Sequence, residues 1–262
     1  MKKLTLLILS IFLLFLLPSC QKVIELNLSN STPALVIQGN VYDHQGPYAI
    51  TISKTVNFTN TNTFPTVSNA TVTINDDAGN AETLNETTAG TYLTSKLRGT
   101  PGRTYTLTVT LDGKTYTSIS TMPNPVRIDT IYLKKNIFGN GDVIDINFMD
   151  PPNADNYYRI IQFINDTLKA GVNIANDKLY QGKEISYSLS ATTLSGNNPL
   201  KKGDKIAIQL ECIDKGVFEY FRTSRGNNGQ SASPANPVSN ITNGALGYFS
   251  ACTVRQASMT FP

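Results

Sequence analysis

Short runs of alternating apolar and polar residues fill most of the chain beyond residue 33, and turn-forming residues separate them. In residues 35–41 the odd-numbered positions form one apolar face, and residues 105–111 repeat the pattern with Tyr, Leu and Val. The second run ends at Asp112-Gly113, a strong signal for a two-residue hairpin. A period of two is that of a half-buried β-strand, so the chain is predicted to form an all-β fold of antiparallel sandwiches.

Two prolines near the middle of the chain, Pro123 and Pro125, interrupt this pattern. Because proline cannot donate a ladder hydrogen bond, it favours a break between strands. We therefore predict two β-sandwich domains, the first covering residues 34–122 and the second covering residues 123–262.

One short helix is predicted within the second domain, at residues 214–222. Val217, Phe218 and Phe221 lie at spacings of one, three and four, which is the period of a helix rather than of a strand. Asp214 stands where an N-cap residue is expected.

The first twenty residues have the composition of an export signal. Two lysines precede an apolar run at residues 4–17, and Leu-Pro-Ser then leads to Cys20. A basic start, an apolar stretch of about 7–15 residues and a small residue before the cut describe a secretory signal peptide. The run is shorter than the roughly 20 residues that a transmembrane helix needs.

The order of these residues resembles the lipobox of bacterial lipoproteins, in which the cysteine at the position of Cys20 is diacylated and becomes the new N-terminus. We expect residues 1–19 to be a lipoprotein signal peptide and residues 20–33 to be a lipidated tether that holds the protein on a membrane. The alternative is an ordinary signal peptide with a chance cysteine.

Charge and motif content exclude several partners and cofactors. The formal net charge of the whole chain is +3, which offers no electrostatic footprint for nucleic acid. Neither a glycine-rich strand-to-helix loop nor a zinc-ligand spacing is present, so no nucleotide, metal or other cofactor is expected. Asp76, Asp77 and Asn80 could offer oxygen ligands to calcium, but the segment is interpreted more simply as a turn.

Cys212 and Cys252 are the two cysteines beyond Cys20. An exported protein can form disulfides, and a bridge between them would stabilise the fold by roughly 3–4 kcal/mol. The alternative is a pair of buried free thiols that act as small apolar side chains.

Two motifs carry a resemblance to known modules. Gly90-Thr91-Tyr92, followed by the Pro-Gly-Arg-Thr-Tyr-Thr-Leu-Thr-Val of residues 101–109, resembles a signature of prealbumin-like and immunoglobulin-like modules in bacterial surface proteins. Residues 236–241, running into residues 244–249, carry the second motif. With the lipobox and the strand at residues 35–41, the set is similar to an uncharacterised family of Bacteroidota outer-membrane lipoproteins whose domain has no assigned function.

The resemblance implies an all-β lipoprotein of the outer membrane, facing either the periplasm or the cell surface. Genes of this kind often lie beside those of TonB-dependent receptors, which suggests a non-enzymatic accessory binding protein for nutrient uptake, with an unknown ligand. A structural or adhesive envelope protein without a small ligand is one alternative. A carboxylate-dependent glycoside hydrolase is another.

The residues offer little for catalysis. His44 is the only histidine, and it lies in a predicted turn, where an exposed ring is expected rather than a catalytic base. Asp142, Asp145 and Asp150 could supply the two carboxylates of a glycosidase, although Asp142 adjoins a turn. We therefore expect no enzyme.

The candidate binding face lies in the second domain, on the loop at residues 222–240 and the aromatic pair that follows it, because long loops on a rigid scaffold often carry function. Its residues are Arg222, Arg225, Asn236, Asn240, Tyr248 and Phe249. Separately, Thr130 and Thr167 each follow an Asp and precede an apolar residue, a pattern that resembles Bacteroidota O-glycosylation sites.

Overall fold

A computed structural model describes residues 32–56, 63–135, 141–193, 198–225 and 236–262. The signal peptide, Cys20 and nearly all of the tether lie outside these residues, so the lipid anchor stays a prediction. Among the residues described, no helix is long and apolar enough to cross a membrane. Pro33–Pro262 forms one compact unit.

Two antiparallel sheets face each other in the first half of this unit. One has the order β1-β2-β6-β5 and the other β4-β3-β7-β8. Inward residues of both sheets, such as Ile37 and Leu107, fill one hydrophobic cluster, as expected of an immunoglobulin-like sandwich. The strands are β1 (Leu35–Tyr42), β2 (Ala49–Lys54), β3 (Thr71–Asp76), β4 (Ala81–Thr83), β5 (Asn85–Thr88), β6 (Thr91–Leu93), β7 (Thr104–Leu111) and β8 (Lys114–Thr121).

The second half repeats this arrangement and adds one helix. A sheet of order β14-β10-β9 shares a hydrophobic cluster with β11 and β15, and Phe148 and Ile208 are among its buried residues. The elements are β9 (Thr130–Lys134), β10 (Val143–Met149), β11 (Tyr157–Ile164), β12 (Thr167–Leu168), β13 (Asn173–Asn176), β14 (Glu184–Ser190), β15 (Lys205–Ile213) and α1 (Lys215–Ser224).

The last strand, β16 (Leu246–Thr260), belongs to both halves. Its first part pairs parallel with β1, from Val36 opposite Leu246 to Tyr42 opposite Cys252, and its second part pairs antiparallel with β15. A nine-stranded sheet therefore runs through the whole unit. The parallel pairing of β1 with β16 is an addition to the predicted antiparallel sheets, and no local pattern in the sequence indicated it.

Two large hydrophobic clusters lie in this unit, and the chain passes from one to the other near Pro123 and Pro125. One contains buried residues from Ile37 to Met122 together with residues in and just before the start of β16, and the other begins at Val126. Met122 is fully buried in the first cluster. The boundary after residue 122 stays a prediction, because β16 crosses from one cluster to the other.

The fold class is confirmed: the described chain is all-β, built of antiparallel sandwiches with one helix. Asp112 and Gly113 both have positive φ, as the predicted hairpin turn requires. Asp214 caps α1 by accepting a hydrogen bond from the Val217 amide at 3.0 Å. The helix ends at Ser224, two residues beyond the predicted end.

Candidate functional site

Helix α1 lies on the outer face of the shared sheet and adds a third layer. Its buried side chains, Val217, Phe218 and Phe221, pack with Ile213 of β15 and Cys252 of β16. The apolar side of the helix faces the sheet, and its polar side faces solvent. The helix therefore covers part of the surface that was predicted from the sequence to be a binding face.

A buried ion pair lies beneath the helix. Arg159 of β11 is opposite Glu211 of β15 in the ladder, and the guanidinium donates to the carboxylate at 2.9 Å. The same guanidinium is 4.3 Å from the centroid of the Phe221 ring. Burial raises the pKa of Glu211, against the lowering effect of Arg159. The pair and the ring together join the helix to two strands.

Aromatic rings surround this pair. The Tyr248 ring centroid is 4.9 Å from both the Tyr220 and the Phe221 centroids. Burial raises the pKa of Tyr248 and of Tyr220 above that of a free tyrosine. Tyr248 is thus a packing residue of the helix layer. Phe249 points the other way into the first sandwich and is fully buried, so neither aromatic residue forms the open face that the sequence suggested.

Two of the remaining residues of the predicted face lie at the end of α1, and the segment that begins at Asn236 is joined to that end by the Val238 amide, which donates to the Thr223 hydroxyl at 2.9 Å. Arg222 and Arg225 are exposed on the last turn and end of α1, and Asn236 is exposed beyond residues 226–235, which lie outside the described chain. Asn240 has a structural role: its side chain donates to the Phe249 carbonyl at 2.7 Å and accepts from the Phe249 amide at 3.0 Å. Asn240 thus supplies hydrogen bonds to backbone groups at an edge of β16 where no strand of the described residues pairs.

A groove lies where the two sandwiches meet the start of α1. Its first cavity, about 600 Å³, has mostly apolar walls that include Met122, Pro123, Pro151, Tyr157 and Ile213. A second cavity of about 570 Å³ continues along the helix flank. Three lining residues are common to both cavities, so we call the pair the junction groove; they are Asp155, Tyr157 and Lys215.

The junction groove carries unpaired cations at its helix end. The ammonium groups of Lys178 and Lys215 form no ion pair or hydrogen bond with any residue in the described ranges. Arg222 lines the same cavity but pairs with Glu219 at 2.7 Å. Arg222 is a residue of the predicted binding face, whereas sequence reasoning missed both lysines, which follow no motif.

A larger groove of about 800 Å³ in the first sandwich is lined mainly by polar side chains, with Asp76 and Glu82 among them. Burial opposes ionisation of Glu82, but donors from Ser95, Leu97 and Lys96 outweigh it and lower its pKa. Asp76 likewise has a lowered pKa, since donors of Asn80 and Ala78 outweigh burial. Both carboxylates are held ionised, so neither suits a general acid.

The carboxylates proposed for a glycosidase serve separate structural contacts. Asp145 is fully buried and accepts hydrogen bonds from Ser188 and Lys134, at 2.5 and 3.0 Å. Asp150 accepts from the Tyr158 hydroxyl at 2.5 Å. Asp142 lies 3.9 Å from the exposed Lys135 ammonium. These three carboxylates therefore give no support to a hydrolase.

The Asp76 turn needs no cation to explain it. The amides of Ala78 and Asn80 and the Asn80 side chain donate to the Asp76 carboxylate at 2.7–3.0 Å. Within the described ranges, no group of three or more His, Cys, Asp or Glu residues is arranged to hold a metal ion.

His44 and the cysteines are placed away from any reactive arrangement. His44 is exposed in a bend and stacks on Tyr42, with ring centroids 5.0 Å apart. Cys212 and Cys252 are both buried free thiols, which corrects the disulfide alternative. Cys212 is opposite Thr253 in the ladder, so the neighbouring Cys252 points to the other face of the sheet. Burial raises the pKa of Cys212 to about 11.

Thr130 in β9 and Thr167 in β12 are both exposed. Exposure is what a glycan acceptor needs, and the O-glycosylation of these residues stays a prediction.

Sequence reasoning also missed the buried pair, Arg159 and Glu211. A signal was present, because each is a charged residue within a strongly apolar strand, in YYRIIQFI and KIAIQLECI. Because Arg and Glu are rarely buried unless they are paired, two such charges of opposite sign in apolar strands predict a buried ion pair.

The sequence matches a family described as Domain of unknown function (DUF4249) over residues 21–258. No curated protein matches it. A solved structure, the two fibronectin type-III domain segment from chicken tenascin, is similar over 69% of this chain and 91% of its own length, at 9% sequence identity and a TM-score of 0.22. At that score no argument rests on the likeness. The family match spans nearly the whole chain, and the protein therefore belongs to the DUF4249 family.

Proposed function

We propose that the protein is a non-enzymatic outer-membrane lipoprotein, anchored through Cys20, that serves as an accessory binding protein of a TonB-dependent receptor. The lipobox-like sequence and the resemblance to Bacteroidota lipoproteins support the anchor and the partner. Asp76, Asp145, Asp150 and Asp214 serve turns, caps and ladder contacts, and His44 is exposed in a bend, which favours binding over catalysis.

The observation that carries this proposal is a fixed loop with an apolar tip, at residues 177–183. Leu179 is 81% exposed and Tyr180 is 41% exposed. Contiguous exposed apolar patches often mark a contact with another protein, whereas single exposed apolar residues are ordinary, and Leu179 and Tyr180 are adjacent on one loop. We call this segment the tip loop.

Buried hydrogen bonds hold the tip loop in place. Asp177 is buried and accepts from the Asn156 amide at 2.8 Å and from the Gln181 side chain at 3.1 Å. At the other end, the Gly182 amide donates to the Asp150 carboxylate at 3.2 Å. A loop that is already ordered loses little entropy when a partner binds, so it suits a docking surface.

A purely structural or adhesive role predicts a flat surface without deep cavities. The described part of the chain instead contains grooves of several hundred cubic ångströms, in the size range of ligand pockets. This favours a binding role.

The experiment compares the wild-type full chain with three variants after mild cross-linking and detergent extraction of native membranes. Cys20→Ser should leave the membrane fraction, because it cannot be acylated. Leu179→Asp should stay in the membrane but lose the TonB-dependent receptor.

Ile119→Asp is the matched control, since Ile119 is 63% exposed on β8 of the other sandwich; it should retain the receptor. Recovery of the cross-linked wild-type protein without any TonB-dependent receptor would contradict the proposal. Recovery of the wild-type protein in the aqueous phase of the detergent extraction would contradict it as well.

A further inference from the structure

The junction groove has the shape of a preformed ligand site. Its two cavities meet at Tyr157 and lie where the sandwiches adjoin, a common location for small-molecule sites. Four segments line the groove: the end of β8 with the prolines that follow it, the loop before β11, the end of β15 and the start of α1. The groove therefore depends on the complete fold.

The apolar end of the groove is rigid. Met122 and Ile213 are core residues, and Pro123, Pro151 and Pro152 restrict the backbone of the walls.

Side-chain hydrogen bonds hold the loop at residues 151–156 in place. The Asn156 side chain donates to the Pro151 carbonyl at 3.3 Å and to the Ala154 carbonyl at 3.0 Å. An apolar guest therefore meets walls that do not need to be ordered on binding.

The charges at the other end favour a single negative charge. Asp214 caps the helix and Glu219 pairs with Arg222, so both carboxylates are already used. The Lys178 and Lys215 ammonium groups therefore remain without an ion-pair partner in the described ranges. Because the lining as a whole carries three cations and three carboxylates, a singly charged carboxylate disturbs its charge balance less than a doubly charged phosphate.

We propose that the junction groove binds an elongated amphipathic carboxylic acid, with its apolar body in the first cavity and its carboxylate between Lys178 and Lys215. Lys178 belongs to the tip loop, so this site adjoins the receptor contact at Leu179, but binding of the acid does not depend on that contact.

The test uses the full chain held in lipid nanodiscs, with empty nanodiscs as the blank. Calorimetric titration compares ω-phenyl carboxylic acids of four to eight carbons with the alcohols and amines of the same skeleton. The acids should show saturable binding. The alcohols should bind at least about tenfold more weakly than the acids, because they lack the negative charge that the lysines attract.

Variants separate the groove from other surfaces. The double variant Lys178→Met, Lys215→Met should weaken binding of the acid at least about tenfold, and Ala154→Trp should do so by filling the apolar cavity. The control Lys96→Met, Arg98→Met removes two cations from the larger groove and should leave binding unchanged.

Thermal unfolding of each variant confirms that it is folded before it is titrated. The proposal is overturned by absence of saturable binding across the whole acid series. Equal binding of acids and alcohols, or wild-type affinity in the double lysine variant, would overturn it as well.

Discussion

At the scale of single residues, the buried pair of Arg159 and Glu211 has the largest predicted effect on stability. Glu211 is 2% exposed, so losing its partner leaves a carboxylate desolvated and unpaired. Arg159→Met should lower the free energy of unfolding by about 3–5 kcal/mol, as measured by urea denaturation. The double variant Arg159→Met, Glu211→Leu should recover much of that loss, since no buried charge then remains.

Arg222→Met provides the control, because Arg222 pairs with Glu219 on the exposed side of the same helix. That variant should change the free energy of unfolding by less than about 0.5 kcal/mol. Comparable losses in the two single variants would show that the pair beneath α1 has no special role.

Glu86 gives a pH-dependent contribution to stability. Hydrogen bonds from Ser68, then from the Gly90 and Asn69 amides, lower its pKa from 4.5 to about 2. Because the folded-state pKa is depressed, the stabilisation is present above pH 4.5 and is lost as the pH falls toward 2. Urea midpoints of wild type and Glu86→Gln should differ near neutral pH and converge at low pH; a constant difference would contradict this.

At the scale of elements, β16 depends on one close approach to β1. Gly247 has φ +98°, and a Cβ there would lie 1.9 Å from the Ile37 carbonyl oxygen. Gly247→Ala should therefore lose both the backbone conformation and the parallel pairing, which urea denaturation would show as a large loss of stability.

Gly79→Ala isolates the two effects, because Gly79 has φ +88° but nothing within 4 Å of the added Cβ. Gly79→Ala should lower the free energy of unfolding by about 1–2 kcal/mol, because alanine disfavours the left-handed backbone conformation. The loss in Gly247→Ala should be clearly larger. Equal losses would mean that the contact with Ile37 is not important.

Local patterns in the sequence predicted local elements well. Alternation located β1 and β7, Asp112-Gly113 located the hairpin, and Asp214 located the start of α1. The partner of β16 could not be predicted, because its pairing joins the two ends of the chain and depends on no local signal.

The candidate site was predicted less well for the same reason. Met122, Tyr157, Lys178 and Lys215 line the junction groove from four separate segments. A single sequence does not show which loops meet. The aromatic pair at Tyr248 and Phe249 was a poor guide, because alternation in a strand sends neighbours to opposite faces and the helix covers one of them.

At the scale of the whole molecule, the shared strand should make the two sandwiches unfold together. β16 pairs with β1 in one half and with β15 in the other, so neither half is complete without it. Native-state hydrogen exchange should give the most protected amides of β7 and β10 the same opening free energy. A clearly lower value for either strand would show that one sandwich opens alone.

The central claim is that the tethered chain presents its tip loop to an outer-membrane receptor. The most direct measurement is photo-crosslinking in growing cells, with a photoreactive amino acid at position 179 and, for comparison, at position 119. We predict an adduct with a TonB-dependent receptor from position 179 and none from position 119. If position 179 yields no adduct with any outer-membrane protein, or both positions yield the same adducts, the claim is wrong.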